Sequence, residues 1–173
     1  IMVMSMTIYT LPFGVALGSF VAASVYMLLR AKAPKPGAVI LFGVLFGLVM
    51  FIMGSGWPIL VAVITSSIIA ELIARSGHYK SYTCEVIGYC ILMLGTAIGS
   101  YIPFLVMKDY YLKIAEGNSI NREFMSRLIA FISGPYLVLA LATTVVTTIL
   151  GAVLARVIFK KHLVKAGLLK ETK

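Results

Sequence analysis

The sequence predicts an all-α integral membrane protein, built as a single bundle of six transmembrane helices. Of its 173 residues, 61% are hydrophobic and 12% are charged, whereas soluble domains have about 45–50% apolar and about 25% charged residues. The mean hydropathy of +1.03 points the same way. Most of the apolar segments have no polar face to turn toward water, so lipid must surround them.

Apolar runs, separated by polar or helix-breaking residues, define the spans. Residues 1–9 are too short to cross a bilayer, and because the sequence opens without an initiator Met we interpret them as a truncated first helix. The last run exceeds the roughly 20 residues that a bilayer requires, so it should tilt, kink at Gly134 and Pro135, or protrude. The complete spans are predicted at about 12–29, 37–53, 59–74, 86–107 and 128–159, with an outer polar loop over 108–127. This loop can support a surface helix interrupted at Gly117 and Asn118.

Small residues recur at four-residue intervals in several spans. Residues four apart share one helix face, so each strip lets another helix backbone come close. In the span over 86–107, Gly95 and Gly99 predict close packing, and Pro103 should kink its far end. We predict partner-docking strips, inside the bundle or outside it, at Gly14, Gly18 and Ala22 and at Gly43 and Gly47.

The sequence contains no motif for nucleotide or zinc binding. It has no Gly-x-x-x-x-Gly-Lys-Ser/Thr loop and no His-Glu-x-x-His helix. Cys84 and Cys90 fit neither a redox pair nor a metal-ligand spacing, and His78 and His162 lie in polar flanks. We therefore expect no catalytic residue, no metal ion and no cofactor.

The distribution of positive charge predicts the orientation. The formal net charge is +9, and most of the 15 lysines and arginines lie in the loops at Arg30 and Arg75 and at the carboxyl end. Basic residues collect on the cytoplasmic side of membrane proteins, so we predict a topology signal rather than a nucleic-acid surface, with both termini cytoplasmic. The opposite side carries Lys108, Lys113, Arg122 and Arg127.

Aromatic and charged side chains gather at the predicted outer boundary. Trp57 follows a turn without charge, and the span over 86–107 ends in Lys108, Asp109 and Tyr110. Rings can stack on a flat ligand, while Asp109 accepts and Lys108 donates hydrogen bonds. The candidate substrate-binding set is Trp57, Tyr101, Lys108, Asp109, Tyr110 and Tyr136. An interfacial aromatic belt explains the same residues without a ligand.

Glu71 is the acidic residue inside a predicted span. Arg75 follows it by four residues, which favours a helical ion pair at the inner interface. The alternative makes Glu71 the coupling carboxylate of an autonomous secondary permease for small solutes. A third interpretation is a structural or assembly subunit whose glycine strips are its whole function.

Several segments carry a resemblance to a known family. They are Lys35-Pro36-Gly37-Ala38, Met53-Gly54-Ser55-Gly56-Trp57-Pro58, Ala70-Glu71-Leu72-Ile73, Gly77-His78-Tyr79-Lys80-Ser81 and Met107-Lys108-Asp109-Tyr110. In order and spacing the chain resembles the substrate-binding S components of energy-coupling factor (ECF) vitamin transporters, particularly the MptD-type group, also called Trep-Strep. The resemblance extends over nearly the whole chain.

The resemblance implies a function that composition alone does not name. It implies an S-component-like bundle in the bacterial cytoplasmic membrane that captures a vitamin or precursor from outside, such as hydroxymethylpyrimidine or a pyridoxine-like ring. It also implies partners, because a transmembrane T component and two ABC ATPases supply the energy. The S component would dock on the T component through its small-residue strips and topple to carry its site inward.

Overall fold

The computed structural model describes residues 13–79, 81–117, 122–159 and 161. Within these ranges the chain forms helices α1 (Gly14–Lys32), α2 (Ala38–Met50), α3 (Trp57–Ser76), α4 (Tyr82–Val106), α5 (Lys108–Gly117), α6 (Arg122–Ile132) and α7 (Pro135–Ile158). By length and composition α1, α3, α4 and α7 can cross a membrane, while α2 is a shorter apolar helix. The predicted all-helical membrane class is confirmed. The span predicted over residues 1–9 lies outside the described residues.

The largest departure from the predicted spans follows α4. The predicted polar loop over 108–127 contains helix α5 and the beginning of α6. The prediction of one span over 128–159 is wrong, because α6 ends at Ile132 and α7 begins at Pro135. Proline lacks an amide hydrogen and has a fixed φ, so it suits the first position of a helix. The division falls where Gly134 and Pro135 predicted a kink.

The bundle is arranged around α4. This helix packs against α3, α7 and α1, while α2 packs mainly against α3. The close packing predicted for the two α4 glycines is confirmed: a methyl group built on Gly95 would overlap the Ser66 side chain, and one on Gly99 would lie 2.6 Å from Ala62 Cβ. Small residues therefore let the backbones of α3 and α4 approach closely.

The strips predicted to dock a partner have different environments. Gly43 and Gly47 are buried against α3; a methyl group on Gly43 would overlap Ser67, and one on Gly47 would lie 3.1 Å from Leu60. Partner docking is therefore wrong for these two glycines, because α3 already occupies the space beside them. The strip on α1 is half-buried, and a methyl group on Gly14 would meet no atom within 4 Å.

The interior is divided between two apolar clusters. One lies beneath α2 and contains Tyr26, Val39 and Tyr89; the other lies beneath α6 and contains Tyr101 and Leu128. Helices α1, α3 and α7 end on the side of the bundle where α2 and α4 begin, so the polar ends of the helices gather at two ends. We call these the basic end, at the carboxyl end of α1, and the aromatic end, at the start of α3.

Candidate functional site

The aromatic end is built where α3 begins and α5 follows α4. Trp57 is the first residue of α3, and its side chain is exposed. Gly56 before it has φ +83° and ψ 167°, a conformation that side chains other than hydrogen strongly disfavour. A methyl group on Gly56 would lie 3.3 Å from Tyr111 Oη, so the turn before Trp57 touches α5.

Three further rings extend this contact. The Tyr111 ring centroid lies 4.5 Å from that of Phe104 and 5.3 Å from that of Tyr110, which stands perpendicular to it. Tyr111 is buried, whereas Tyr110 is exposed. We call Trp57, Phe104, Tyr110 and Tyr111 the aromatic cluster. The rings of α4 and α5 are in direct contact, and Trp57 of α3 enters the cluster through the neighbouring Gly56 turn.

Polar groups border the aromatic cluster. Lys108 and Asp109 are exposed in the first turn of α5, where the helix dipole favours the carboxylate of Asp109. Burial, and secondarily the neighbouring Tyr110, raises the pKa of Tyr111. Its hydroxyl therefore remains a hydrogen-bond donor at neutral pH. The arrangement offers rings for stacking, a carboxylate acceptor and two kinds of donor.

Two residues of the predicted binding set lie elsewhere. Tyr101 is only 2% exposed and packs under α6, because it lies one turn from Ala97 on the interior face of α4. Its prediction as an outward-facing ligand contact is wrong. Tyr136 is exposed at the start of α7, where its ring stacks on Phe131 of α6 with centroids 4.1 Å apart. It belongs to the corner between α6 and α7.

A buried ion pair holds the basic end. Arg30 Nε lies 2.7 Å from Glu85 Oε2, and Arg30 Nη2 lies 2.7 Å from Glu85 Oε1, so the guanidinium binds both carboxylate oxygens. Both residues are buried. The pair ties the end of α1 to the beginning of α4. Arg30 was predicted in a loop, but α1 continues to Lys32 because this partner neutralises the charge within the bundle.

The Glu71 side chain caps the first turn of α2. Its carboxylate accepts hydrogen bonds from the backbone amides of Gly37, at 2.8 Å, and Val39, at 3.0 Å. These amides precede the regular hydrogen bonding of α2 and need an acceptor. The prediction that Glu71 pairs with Arg75 is therefore corrected: Glu71 is buried and turned toward α2, while Arg75 is exposed.

Tyrosines surround the two carboxylates. Desolvation, and secondarily the neighbouring Glu71 carboxylate, raises the pKa of Tyr79. Its ring also lies 5.4 Å from the Arg30 guanidinium. Deeper inside, Tyr26 stacks on Tyr89 with centroids 4.6 Å apart. The buried Tyr26 hydroxyl has no hydrogen-bond partner among the described residues. We call Arg30, Glu71, Tyr79 and Glu85 the basic-end network.

Sequence reasoning missed Phe104 as a cluster residue and the partnership of Arg30 with Glu85. The two charged residues stand 55 positions apart, so no helical spacing connects them. Their opposite charges at the ends of neighbouring apolar runs were the available signal. Phe104 and Tyr111 meet because the chain leaves α4 at Met107, a turn that hydropathy does not reveal.

Fold and composition together define the class: a helical integral membrane protein with a polar network at one end and exposed rings at the other. A family model described as "Hypothetical bacterial integral membrane protein (Trep_Strep)" matches residues 1–165, and the chain belongs to this family. Comparison with curated proteins and with solved structures gave no significant match.

Proposed function

We propose that the chain is the substrate-binding subunit of an ECF-type importer for a vitamin or vitamin precursor. The single observation that supports this function best is the aromatic cluster, in which exposed Tyr110 adjoins buried Tyr111, the turn before exposed Trp57 lies beside the Tyr111 hydroxyl, and Lys108 and Asp109 are exposed next to Tyr110. Membership of the Trep_Strep family and the resemblance to S components support it further.

The proposed ligand is a flat, hydrogen-bonding ring such as hydroxymethylpyrimidine or a pyridoxine-like compound. Trp57 and Tyr110 would stack on its faces, Asp109 would accept from a ring hydroxyl or amine, and Lys108 would donate to a ring nitrogen or oxygen. None of these side chains supplies a nucleophile held by a base, so we propose binding without chemical conversion.

Energy and movement would come from partners. In the proposed complex a transmembrane T component and two ABC ATPases hydrolyse ATP, and the basic end faces the cytoplasm with both termini. The small residues on α1, namely Gly14, Gly18 and Ala22, would dock on the T component. They are only half-buried within the chain, so part of their surface is free for a partner helix. Toppling of the bundle would then carry the aromatic end inward.

We do not advance the autonomous permease based on Glu71. Both carboxylate oxygens accept hydrogen bonds from α2, which gives this residue a structural role in the described bundle. Liposomes that hold the chain alone test the point directly. We expect no solute accumulation, and accumulation that Glu71→Gln abolishes would favour the permease.

Binding is the direct test of the importer subunit. Purified protein in lipid nanodiscs would be titrated calorimetrically with pyrimidine and pyridine vitamins, with a saturated ring of equal size as the control. We expect at least one aromatic compound to bind with a Kd below about 10 µM, equivalent to about 7 kcal/mol, and the saturated control to bind more weakly. Failure of every aromatic compound to reach this affinity would contradict the proposal.

A further inference from the structure

Helix α2 is attached to the bundle differently from the other apolar helices. It has 13 residues, or about 20 Å of helix, against a hydrocarbon core of about 30 Å. One side packs on α3 through Gly43 and Gly47 and on the inner cluster through Val39 and Phe42, and the opposite side exposes Leu41, Leu45 and Val49. Helix α2 is therefore a peripheral helix held mainly along one face.

Both connections of α2 contain a glycine with positive φ. Gly37 has φ +84° and Gly56 has φ +83°. A methyl group on Gly37 would meet no atom within 4 Å, so packing does not restrict rotation there. At the other end α2 runs into a π-helical turn, Phe51–Ser55, a distortion that is frequent at functional sites. Such residues can absorb the dihedral changes of a hinge.

The Glu71 carboxylate holds the first turn of α2 at the basic end of the bundle. It is 7% exposed and accepts from the amides of Gly37 and Val39, which would otherwise lack an acceptor. The Tyr79 side chain lies near the same carboxylate, which contributes to the raised pKa of Tyr79. His78 and Tyr79 have φ values of 51° and 57°, which are uncommon outside glycine. The loop accepts this conformation while placing the Tyr79 ring over the Arg30 guanidinium.

We propose that α2 is a hinged helix, that Glu71 is the latch holding it against α3, and that releasing the latch moves Trp57 at the opposite end. Gly56 joins the π-helical turn to Trp57 and lies beside the Tyr111 hydroxyl, so we expect a displaced α2 to change the aromatic cluster. Glu71 thus acts as a positioning residue through α2. The consequence of latch release for ligand binding rests on the proposed function, whereas the effect of latch release on Trp57 does not.

The single tryptophan of the chain makes the latch measurable. Glu71→Gln keeps the side-chain size but leaves one acceptor oxygen for two backbone amides. We expect amide exchange in the first turn of α2 to accelerate about tenfold or more, because hydrogen bonds to a charged group are lost. We also expect faster exchange through the π-helical turn and a shift of Trp57 emission. The matched control is Glu123→Gln in the exposed pair with Arg127, which should change neither.

Measurements at the two ends of α2 distinguish the possible outcomes. Faster exchange confined to the first turn of α2, with unchanged Trp57 emission, would identify Glu71 as a local helix cap and overturn the latch. Should Glu71→Gln not fold, Glu71→Asp keeps the charge but shortens the side chain, so the carboxylate no longer reaches both amides, and the same two readouts decide. A Trp57 response in a protein that binds no ring compound would support the latch and contradict the proposed function.

Discussion

Arg30 and Glu85 place two opposite charges inside an apolar bundle. Removing each ion from water costs several kcal/mol, and a bidentate guanidinium–carboxylate contact offsets much of that cost. The described geometry fulfils this condition, since both nitrogen–oxygen distances are 2.7 Å. The pair therefore depends on both members, because either one alone would remain as an uncompensated buried charge.

The first prediction separates the buried pair from an exposed one. Arg30→Met or Glu85→Gln alone should lower the free energy of unfolding by about 3–5 kcal/mol, and the double substitution should cost less than the sum. Arg127→Gln, which breaks an exposed pair with Glu123, should cost about 1 kcal/mol or less. Denaturant unfolding in detergent micelles measures all four variants. Additive losses as small as that of the exposed control would contradict this account of the pair.

The second prediction concerns the aromatic cluster. Trp57→Ala or Asp109→Ala should weaken binding of a ring ligand by about 1–3 kcal/mol, because each removes one contact at a wet boundary. Both side chains are exposed, so the fold should be retained. Calorimetric titration provides the affinity, with Ser126→Ala on the exposed face of α6 as the control. Unchanged affinity in both variants would place the site elsewhere.

The location and exposure of a residue were predictable from the sequence where the residue stands at the end of a span. The positions of Trp57 and of Lys108 to Tyr110 followed from where hydropathy changes, and they are exposed at the aromatic end. The burial of Tyr101 was not predictable, because it depends on α6 covering α4. The partner of Glu71 was not predictable either. Helical spacing favoured Arg75, whereas the first turn of α2 comes close to Glu71 only in the folded chain.

At the scale of helices, glycine spacing predicted close packing but not the identity of the neighbour. Gly95 and Gly99 face α3 as a four-residue repeat on α4 suggests. The equally regular pair Gly43 and Gly47 also packs inside the chain. A four-residue repeat marks one face of a helix, and the same pattern serves an internal neighbour or a partner.

The third prediction distinguishes internal from external glycines. Gly43→Leu should destabilise the bundle by about 1–3 kcal/mol, because the added side chain must displace Ser67 and α3. Gly14→Leu should leave the stability unchanged or higher, since its surroundings are open, yet reduce co-purification with a T component. Thermal unfolding and co-purification from cells expressing both proteins measure the two effects. Normal co-purification of Gly14→Leu would remove α1 from the docking surface.

Helix boundaries were predictable where hydropathy alone decides them. The apolar runs correspond to α1, α2, α3 and α4 to within a few residues. The region after α4 was harder, because α5 and α6 mix polar and apolar residues, and part of α6 merges with the apolar run of α7. Only the short interval at Ser133 and Gly134 divides that run.

At the scale of the whole molecule, the two ends have different chemistry. Arg30, Arg75 and Arg156 lie at the basic end, whereas exposed rings and the helices α5 and α6 lie at the other. The proposed importer requires the aromatic end to face the outside, because the ligand is captured there. Basic residues on the cytoplasmic side would give this orientation.

Sided cysteine labelling of intact cells measures the orientation. In a Cys84→Ser, Cys90→Ser background, Ser126→Cys on the exposed face of α6 and Lys35→Cys in the exposed loop before α2 report on opposite ends of the bundle. We predict that a membrane-impermeant maleimide labels the position-126 variant in intact cells and the position-35 variant only after permeabilisation. The reverse pattern would turn the aromatic cluster toward the cytoplasm and contradict capture of a ligand from outside.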